Sequence, residues 1–265
     1  TDSDTPLILP VLINGAIHNL TVNNVLKGST SLFGNGSGKN ILLPDPVTDL
    51  NGTSGDDLIF TNSGLTNSNG AGGDDTIIGT SGVNNLVGGN DDDILDGAGG
   101  DDILNGGSGA DILYGGAGDD TFIIDVYSDN KIYGGADLDT LDYSAITTDI
   151  TANLSGTVIS GSGNDTIYDI ENIITGYGND VVTGNSFANR ITTGVGTDSI
   201  LGYGDNDTID GGAGADTIYG GFGNDIILGD TGADSIYGEA GTDSILGGTG
   251  NDIIDGGAGF DTLIG

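Results

Sequence analysis

The chain has 265 residues and a formal net charge of −36, because 40 acidic residues face only four basic ones. This charge argues against binding to nucleic acid or to an anionic membrane surface. The absence of cysteine excludes disulfides and thiolate metal sites, and no apolar run reaches the roughly 18 residues of a membrane span. Glu171 and Glu239 are the only glutamates, and the short aspartate side chain suits tight turns beside a cation.

Residues 1–50 differ in composition from the rest and contain all four prolines and the single histidine, His18. One degenerate repeat unit is predicted at 35–43. Because the terminal repeats of solenoids are atypical, this segment is predicted to cap the first repeat block. The sequence lacks an initiating methionine and stops at Gly265, where another unit would begin, so we expect it to be part of a longer protein.

The first repeat block is predicted over residues 51–142. Eight nine-residue units share one register from Gly52 to Ile123, and a further unit follows at 134–142 after a register slip at Ile124. Each unit combines a six-residue loop, with aspartate at position 6, and a three-residue strand, with an apolar residue at position 8. The unit 61–69 is degenerate at both positions and is expected to be bulged or uncalcified.

A non-repetitive link is predicted over residues 143–174, with one recognisable unit at 160–168. The alternation of Ile150, Ala152 and Leu154 predicts an inserted hairpin or loop. Residues 169–174 are interpreted as a six-residue spacer. The link is therefore expected to join two separate stacks of repeats.

The second repeat block is predicted over residues 175–265, in which ten units run without a slip from Thr175 to Ile264. Nine of the ten have aspartate at position 6, the exception being Asn189, and all ten have Val, Ile or Leu at position 8. Such an internal repeat indicates a solenoid.

The pattern predicts an all-β fold, a parallel β-roll (a β-solenoid) in two stacked blocks. Successive strands would alternate between two sheets, so that one turn takes 18 residues. Loops 18 residues apart would then stack at the strand spacing of about 4.8 Å. Carboxylates at that spacing repel one another, and calcium, which takes six to eight oxygen ligands, would be held by two of them together with loop carbonyl groups. Magnesium is less suited, because it demands tighter octahedral geometry.

The core of such a roll is thin, so metal binding is expected to supply much of the folding free energy. Pairing loops 18 residues apart predicts about a dozen calcium ions as the cofactor. The predicted ligands are the aspartates at position 6, namely Asp57, Asp75, Asp93, Asp102, Asp111, Asp120, Asp139, Asp165, Asp180, Asp198, Asp207, Asp216, Asp225, Asp234, Asp243, Asp252 and Asp261.

Units such as GGAGADTIY at 211–219 and GGFGNDIIL at 220–228 resemble the RTX (repeats-in-toxin) nonapeptide GGxGxDxUx. The resemblance covers residues 52–142 and 160–264, and the link resembles segments that join repeat blocks in large RTX proteins. It implies a type I-secreted bacterial protein, located outside the cell or on its surface, that folds in external calcium. The units with Thr66, Asn84 and Asn189 depart from the family's pattern.

Two functions remain open at this stage. The first is a calcium-dependent folding, export and structural module of a large adhesin, toxin or surface-layer protein. The alternative is an accessory module of a secreted enzyme such as a protease, lipase or alginate epimerase. The chain has one histidine and no catalytic motif, so no enzyme activity is expected of it.

Position 9 offers a possible contact surface. It carries Leu201, Tyr219 and Tyr237 in one predicted sheet, and Leu228, Leu246 and Ile264 in the other. These ladders could dock neighbouring domains of the parent protein or a second copy of the chain. Equally, they could only shield a thin sheet from water.

Overall fold

The computed structural model describes residues 7–13, 16–22, 40–42, 49–61, 67–125, 129–156, 158–160 and 163–265. Within these ranges the regular structure consists of β-strands only. None of the described residues belongs to a helix long and apolar enough to cross a membrane. The strands stack into a parallel β-solenoid, which confirms the predicted fold class.

The strands form where the sequence predicts them, at positions 7 to 9 of the repeat, and one turn of the solenoid takes 18 residues. Ile200 of one strand lies in register with Ile218, and Ile218 with Ile236. Intervening strands belong to the opposite sheet, where Ile209 aligns with Ile227. The nine-residue period therefore produces two sheets that face each other across the core, with a loop before each strand.

The first sheet has fourteen strands. In chain order they are β3 (Asn40–Leu42), β5 (Asp57–Phe60), β7 (Thr76–Ile78), β9 (Ile94–Asp96), β11 (Ile112–Ala117), β13 (Lys131–Ala136), β15 (Thr151–Asn153), β16 (Val158–Ser160), β17 (Asn164–Tyr168), β19 (Val181–Thr183), β21 (Ser199–Gly204), β23 (Thr217–Phe222), β26 (Ser235–Ala240) and β29 (Ile253–Asp255).

The second sheet has twelve strands, all parallel. They are β4 (Asp49–Asn51), β6 (Asn67–Gly72), β8 (Asn85–Asn90), β10 (Ile103–Ser108), β12 (Thr121–Ile123), β14 (Thr140–Asp142), β18 (Asn172–Ile174), β20 (Arg190–Thr192), β22 (Thr208–Asp210), β24 (Ile226–Leu228), β27 (Ser244–Leu246) and β30 (Thr262–Ile264). Two short loop strands, β25 (Thr231–Gly232) and β28 (Thr249–Gly250), pair with each other.

The link is built into both sheets. The predicted hairpin is present, since β15 and β16 are antiparallel, and β16 also pairs antiparallel with β17. The interpretation of residues 169–174 as a spacer is wrong, because they contain β18, which pairs with β14 and β20. The twelve-stranded sheet therefore runs from the first block into the second without a break, and the division into four segments stays a prediction.

Residues before the first block form two features. Strands β1 (Leu7–Ile13) and β2 (Ala16–Val22) make an antiparallel pair. Strand β3, from the unit predicted at 35–43, pairs in parallel with β5, and Asn40 aligns with Asp57. Asn40 thus stands where later units have aspartate, while the capping role of residues 1–50 stays a prediction.

The core is a single row of position-8 side chains on each sheet, facing the other sheet. Nearly every strand of the two blocks contributes one Ile, Leu, Val or Phe that is at most 1 % exposed. There are three exceptions. Ser68 is a buried polar side chain in the degenerate unit 61–69, of which residues 62–66, including Thr66, lie outside the described part. In the last turn, Ile254 is only partly buried and Leu263 is 47 % exposed. Alternate residues on each short strand point outward.

The position-9 ladders form on the outer faces as predicted. Leu201, Tyr219 and Tyr237 align across β21, β23 and β26, and the two tyrosine rings stack with centroids 4.9 Å apart. A second stack joins Tyr114, Tyr133 and Tyr168, at 4.9 and 4.8 Å. Ring stacking of this kind supports neighbouring strands by cross-strand contact.

Candidate metal centres

The position-6 aspartates lie where each loop enters its strand, at the two edges of the roll. Of the seventeen predicted ligands, all but Asp252 and Asp261 are at most 3 % exposed, and those two are partly buried. Carboxylates are almost never buried to this degree unless they are paired, hydrogen-bonded or bound to metal.

In all of these carboxylates except Asp57, whose Oδ2 accepts the N–H of Thr53 in its own loop, one oxygen is held by the backbone of the preceding turn. The N–H of Asp198 donates to Oδ1 of Asp216 at 2.8 Å, and the N–H of Asp216 donates to Oδ1 of Asp234 at 2.9 Å. The same bond links four ladders, which are Asp57–Asp75–Asp93–Asp111–Asn130–Asp165, Asn84–Asp102–Asp120–Asp139–Glu171, Ile150–Asp180–Asp198–Asp216–Asp234–Asp252 and Asn189–Asp207–Asp225–Asp243–Asp261.

The other carboxylate oxygen is buried and has no hydrogen-bond partner. This holds for Oδ2 of Asp75, Asp93, Asp102, Asp111, Asp120, Asp139, Asp180, Asp198, Asp207, Asp216, Asp225, Asp234 and Asp243. An unpartnered buried carboxylate oxygen is costly. Its recurrence at one position of the repeat indicates a cation site between loops.

Glycine at position 1 leaves room beside that oxygen. A Cβ on Gly220 would lie against Oδ2 of Asp225 and 2.9 Å from the carbonyl oxygen of Gly238, one turn later. A carboxylate and a carbonyl oxygen of two stacked loops thus flank the same point. The same arrangement surrounds Gly70, Gly88, Gly97, Gly202 and Gly238.

This donor set fits calcium, a hard cation that takes carboxylate and backbone carbonyl oxygens together. No group of three or more acidic, histidine or cysteine side chains that could hold a metal occurs among the described residues. Any cation bound here would therefore need carbonyl oxygens to complete its coordination.

Burial also makes the ionised carboxylates unfavourable without a cation. Loss of solvation is the main reason that the pKa of Asp93 is raised to about 8 and that of Asp102 to about 7. Neighbouring carboxylates contribute in the same direction, and a backbone hydrogen bond opposes them. The same causes raise the pKa of Asp207 to about 7. A divalent cation between two such groups would favour their ionised forms.

In two units with asparagine at position 6, the side-chain oxygen accepts a hydrogen bond from the backbone of its own loop. Oδ1 of Asn84 accepts the N–H of Thr80 at 2.7 Å. Oδ1 of Asn189 accepts the N–H of Asn185 at 2.8 Å, and its Nδ2 donates to the carbonyl oxygen of Glu171 at 2.8 Å. Both residues begin a ladder through their backbone N–H, and their amide side chains bring no charge to a cation.

Two members of the ladders were missed in the sequence. Asn130 occupies position 6 ahead of β13, with Ile132 buried at position 8, and Glu171 occupies position 6 ahead of β18, with Ile173 at position 8. The signal was present, because each precedes a strand whose second residue is apolar. A search restricted to aspartate does not find them.

Position 5 carries a second, oppositely directed ladder that the sequence reading also missed. Oδ1 of Asp74 accepts the N–H of Asp92 one turn later, at 3.2 Å. Oδ1 of Asn206 accepts the N–H of Asn224, and Oδ1 of Asn224 that of Thr242, at 2.6 and 2.7 Å. Stacked loops are therefore joined by side chains in both directions.

A family model of the RTX calcium-binding nonapeptide repeat matches residues 69–104, 96–123, 174–209, 192–227, 201–236 and 228–263, which together make up more than half of the chain. The chain belongs to this family. The RTX repeats form a calcium-binding β-roll module that is itself non-catalytic, and such repeats are typical of secreted bacterial proteins. No curated protein matches the chain.

Proposed function

We propose that calcium ions bind between stacked loops of this RTX module and act as its folding switch. The observation that carries the proposal is the buried, unpartnered Oδ2 that recurs at position 6. In loops such as those of Gly70, Gly88 and Gly220, this oxygen and a carbonyl oxygen of the next turn flank one point. About a dozen ions would be bound, since each needs two loops for its six to eight oxygen ligands.

The proposed ligands in glycine-bearing loops are Asp57, Asp75, Asp93, Asp102, Asp111, Asp120, Asp139, Asp207, Asp216, Asp225, Asp234, Asp243, Asp252 and Asp261. The sequence also predicts Asp165, Asp180 and Asp198, which lie in the same ladders but have protein hydroxyl groups beside them.

At the level of the parent protein, we propose a folding, export and structural module of a large secreted or cell-surface RTX protein. The net charge of −36 supports this role, because an extended, self-repelling chain is favoured while calcium is scarce. The outer ladder of Leu201, Tyr219 and Tyr237 is a candidate surface for a neighbouring domain or a second copy. The gene sequence on either side would distinguish this role from an accessory module of a secreted enzyme.

Native mass spectrometry at saturating calcium tests the proposed binding directly. About a dozen retained calcium ions per chain are expected, with far fewer ions retained when magnesium replaces calcium. Retention of no calcium, or of equal numbers of the two metals, would contradict the proposal.

A further inference from the structure

Two loops of the second block depart from the glycine rule at position 1. They carry Thr175 and Thr193, and both side chains are buried, at 2 % and 0 % exposure. Every other loop of this block with a buried aspartate at position 6 has glycine there. The two threonines are consecutive on one edge of the roll, ahead of β19 and β21.

The threonine hydroxyl groups occupy the region that glycine leaves open. Oγ1 of Thr175 donates to the carbonyl oxygen of Thr193, and Oγ1 of Thr193 donates to that of Gly211, both at 2.9 Å. These are the position-1 carbonyl groups one turn later, which in glycine-bearing loops face the aspartate Oδ2. A hydroxyl group therefore takes the carbonyl oxygen that a cation would need.

The same hydroxyl groups lie beside the acids of their own loops. Burial raises the pKa of Asp180 and of Asp198, and the nearby Thr175 and Thr193 hydroxyls, respectively, act in the opposite direction. A hydroxyl has only one proton, and its direction toward the carbonyl oxygen leaves Oδ2 of both acids without a partner of good geometry. The side chain nevertheless fills the space between carboxylate and carbonyl.

A third hydroxyl group lies beside a position-6 aspartate of the same sheet, ahead of β17. The Tyr143 hydroxyl donates to Oδ2 of Asp165 at 2.6 Å, so this oxygen has the partner that Oδ2 of most position-6 aspartates lacks. The neighbouring loop carries Asn130 rather than an acid at position 6. The link also buries Ile146, Ile150 and Leu154 beyond the usual one side chain per strand.

We propose that Thr175 and Thr193 replace calcium at two successive positions, between Asp180 and Asp198 and between Asp198 and Asp216. The proposal rests on the proposed function, in that the glycine-bearing loops are taken to bind calcium. The middle of the roll is then held by protein hydroxyl groups and a thicker apolar core. Position 1 decides which loop pairs take an ion.

The test is a count of bound calcium by native mass spectrometry in the intact chain. The Thr175→Gly/Thr193→Gly variant removes both hydroxyl groups and restores the glycine found in calcium-binding loops, and it is expected to gain about two ions over the unaltered chain. The matched control Thr208→Gly/Thr217→Gly makes the same exchange at position 7 of two strands and should leave the count unchanged.

An unchanged or lower count in the first variant would overturn the inference, because it would mean that the threonine side chains do not exclude an ion or that they help to bind one. If that variant does not fold, bound calcium is counted in the reverse exchange Gly229→Thr instead. It is expected to lose about one ion from the Asp234–Asp252 pair, and an unchanged count there also overturns the inference. If the unaltered chain binds no calcium, the proposed function fails.

Discussion

At position 6, the two oxygens of one aspartate have different partners. In Asp225, Oδ1 accepts the N–H of Asp207 at 2.8 Å, while Oδ2 is buried without a partner. The first contact fixes the side chain and the second oxygen is left for a cation. Asparagine can make the first contact alone, as Asn130 does when its Oδ1 accepts the N–H of Asp111 at 3.0 Å.

Replacement of Asp225 by Asn separates these two roles. Asp225→Asn keeps an Oδ1 acceptor but places an amide N–H₂ at the cation site, so the affinity of the two neighbouring sites is expected to fall at least about 10–100-fold. Calcium titration by calorimetry measures the change. The control Asp210→Asn removes the same charge from a strand, where its Oδ1 accepts the N–H of Gly212, and equal losses in both variants would argue against a metal ligand.

Glycine at position 1 allows a separate prediction. In Gly220→Ala the new Cβ meets Oδ2 of Asp225 and the Gly238 carbonyl oxygen, so the calcium-bound roll is expected to lose about 1–3 kcal/mol of stability. Chemical unfolding in saturating calcium measures this. Gly55→Ala is the matched control, because a Cβ there has no atom within 4 Å; an equally large loss in the control would refute the steric explanation.

Much of the site follows from the sequence, because a period of nine with two strands per turn fixes which acids stack. Their spacing of 18 residues is enough to place Asp198, Asp216 and Asp234 on one edge. The direction of the hydrogen bonds at positions 5 and 6 could not be predicted, because it depends on the loop conformation. Nor did the sequence indicate that the Thr175 side chain is buried, since a threonine in a loop is usually exposed.

At the scale of the strand, stability comes from one buried side chain stacked between identical neighbours. Ile218 lies between Ile200 and Ile236 and is fully buried, whereas Ile253 is 62 % exposed. The short strands bury little else, so each central side chain carries much of the packing free energy of its turn.

Ile218→Ala is therefore expected to destabilise the calcium-bound roll by about 2–5 kcal/mol, through lost burial and the cavity left behind. Ile253→Ala, which removes the same atoms from an exposed position, should cost far less. Denaturant unfolding of both variants in saturating calcium measures the difference, and similar losses would exclude the stacked row as the source of stability.

In the link, a fixed repeat period no longer predicts which strands pair. Lys131 aligns with Thr166, and Thr140 with Asn172, at offsets of 35 and 32 residues rather than 18. The insertion enters as an antiparallel hairpin that returns the chain to the same sheet, so the strand count between the blocks cannot be obtained from a fixed period. The alternation of Ile150, Ala152 and Leu154 indicated a strand, but not its partner.

For the whole molecule, the raised pKa values predict how pH affects the calcium-free chain. Burial raises the pKa of Asp93 to about 8 and that of Asp207 to about 7, whereas aspartate in an unfolded chain titrates near 4. The folded state therefore binds more protons. Its stabilisation by protonation is complete below about pH 4 and is lost as the pH rises through 7 to 8.

Lowering the pH from 8 to about 5 should thus increase β-structure in calcium-free solution, as followed by circular dichroism. The buffer should be freed of calcium on a resin, because carboxylate chelators weaken in acid, and pH 5 stays above the isoelectric point of about 4.1. In calcium, the same acidification should weaken ion binding, because protons compete for the carboxylates. Loss of β-structure on acidification without calcium would contradict these assignments.

A calcium titration of the metal-free chain at neutral pH, followed by circular dichroism and small-angle X-ray scattering, tests most directly whether calcium is the folding switch. We expect an expanded chain with little β-structure before calcium is added. On addition of calcium we expect a cooperative transition to a compact, β-rich particle, which chelation reverses and magnesium does not reproduce. A chain that holds the same β-structure and dimensions with and without calcium would contradict calcium as the folding switch.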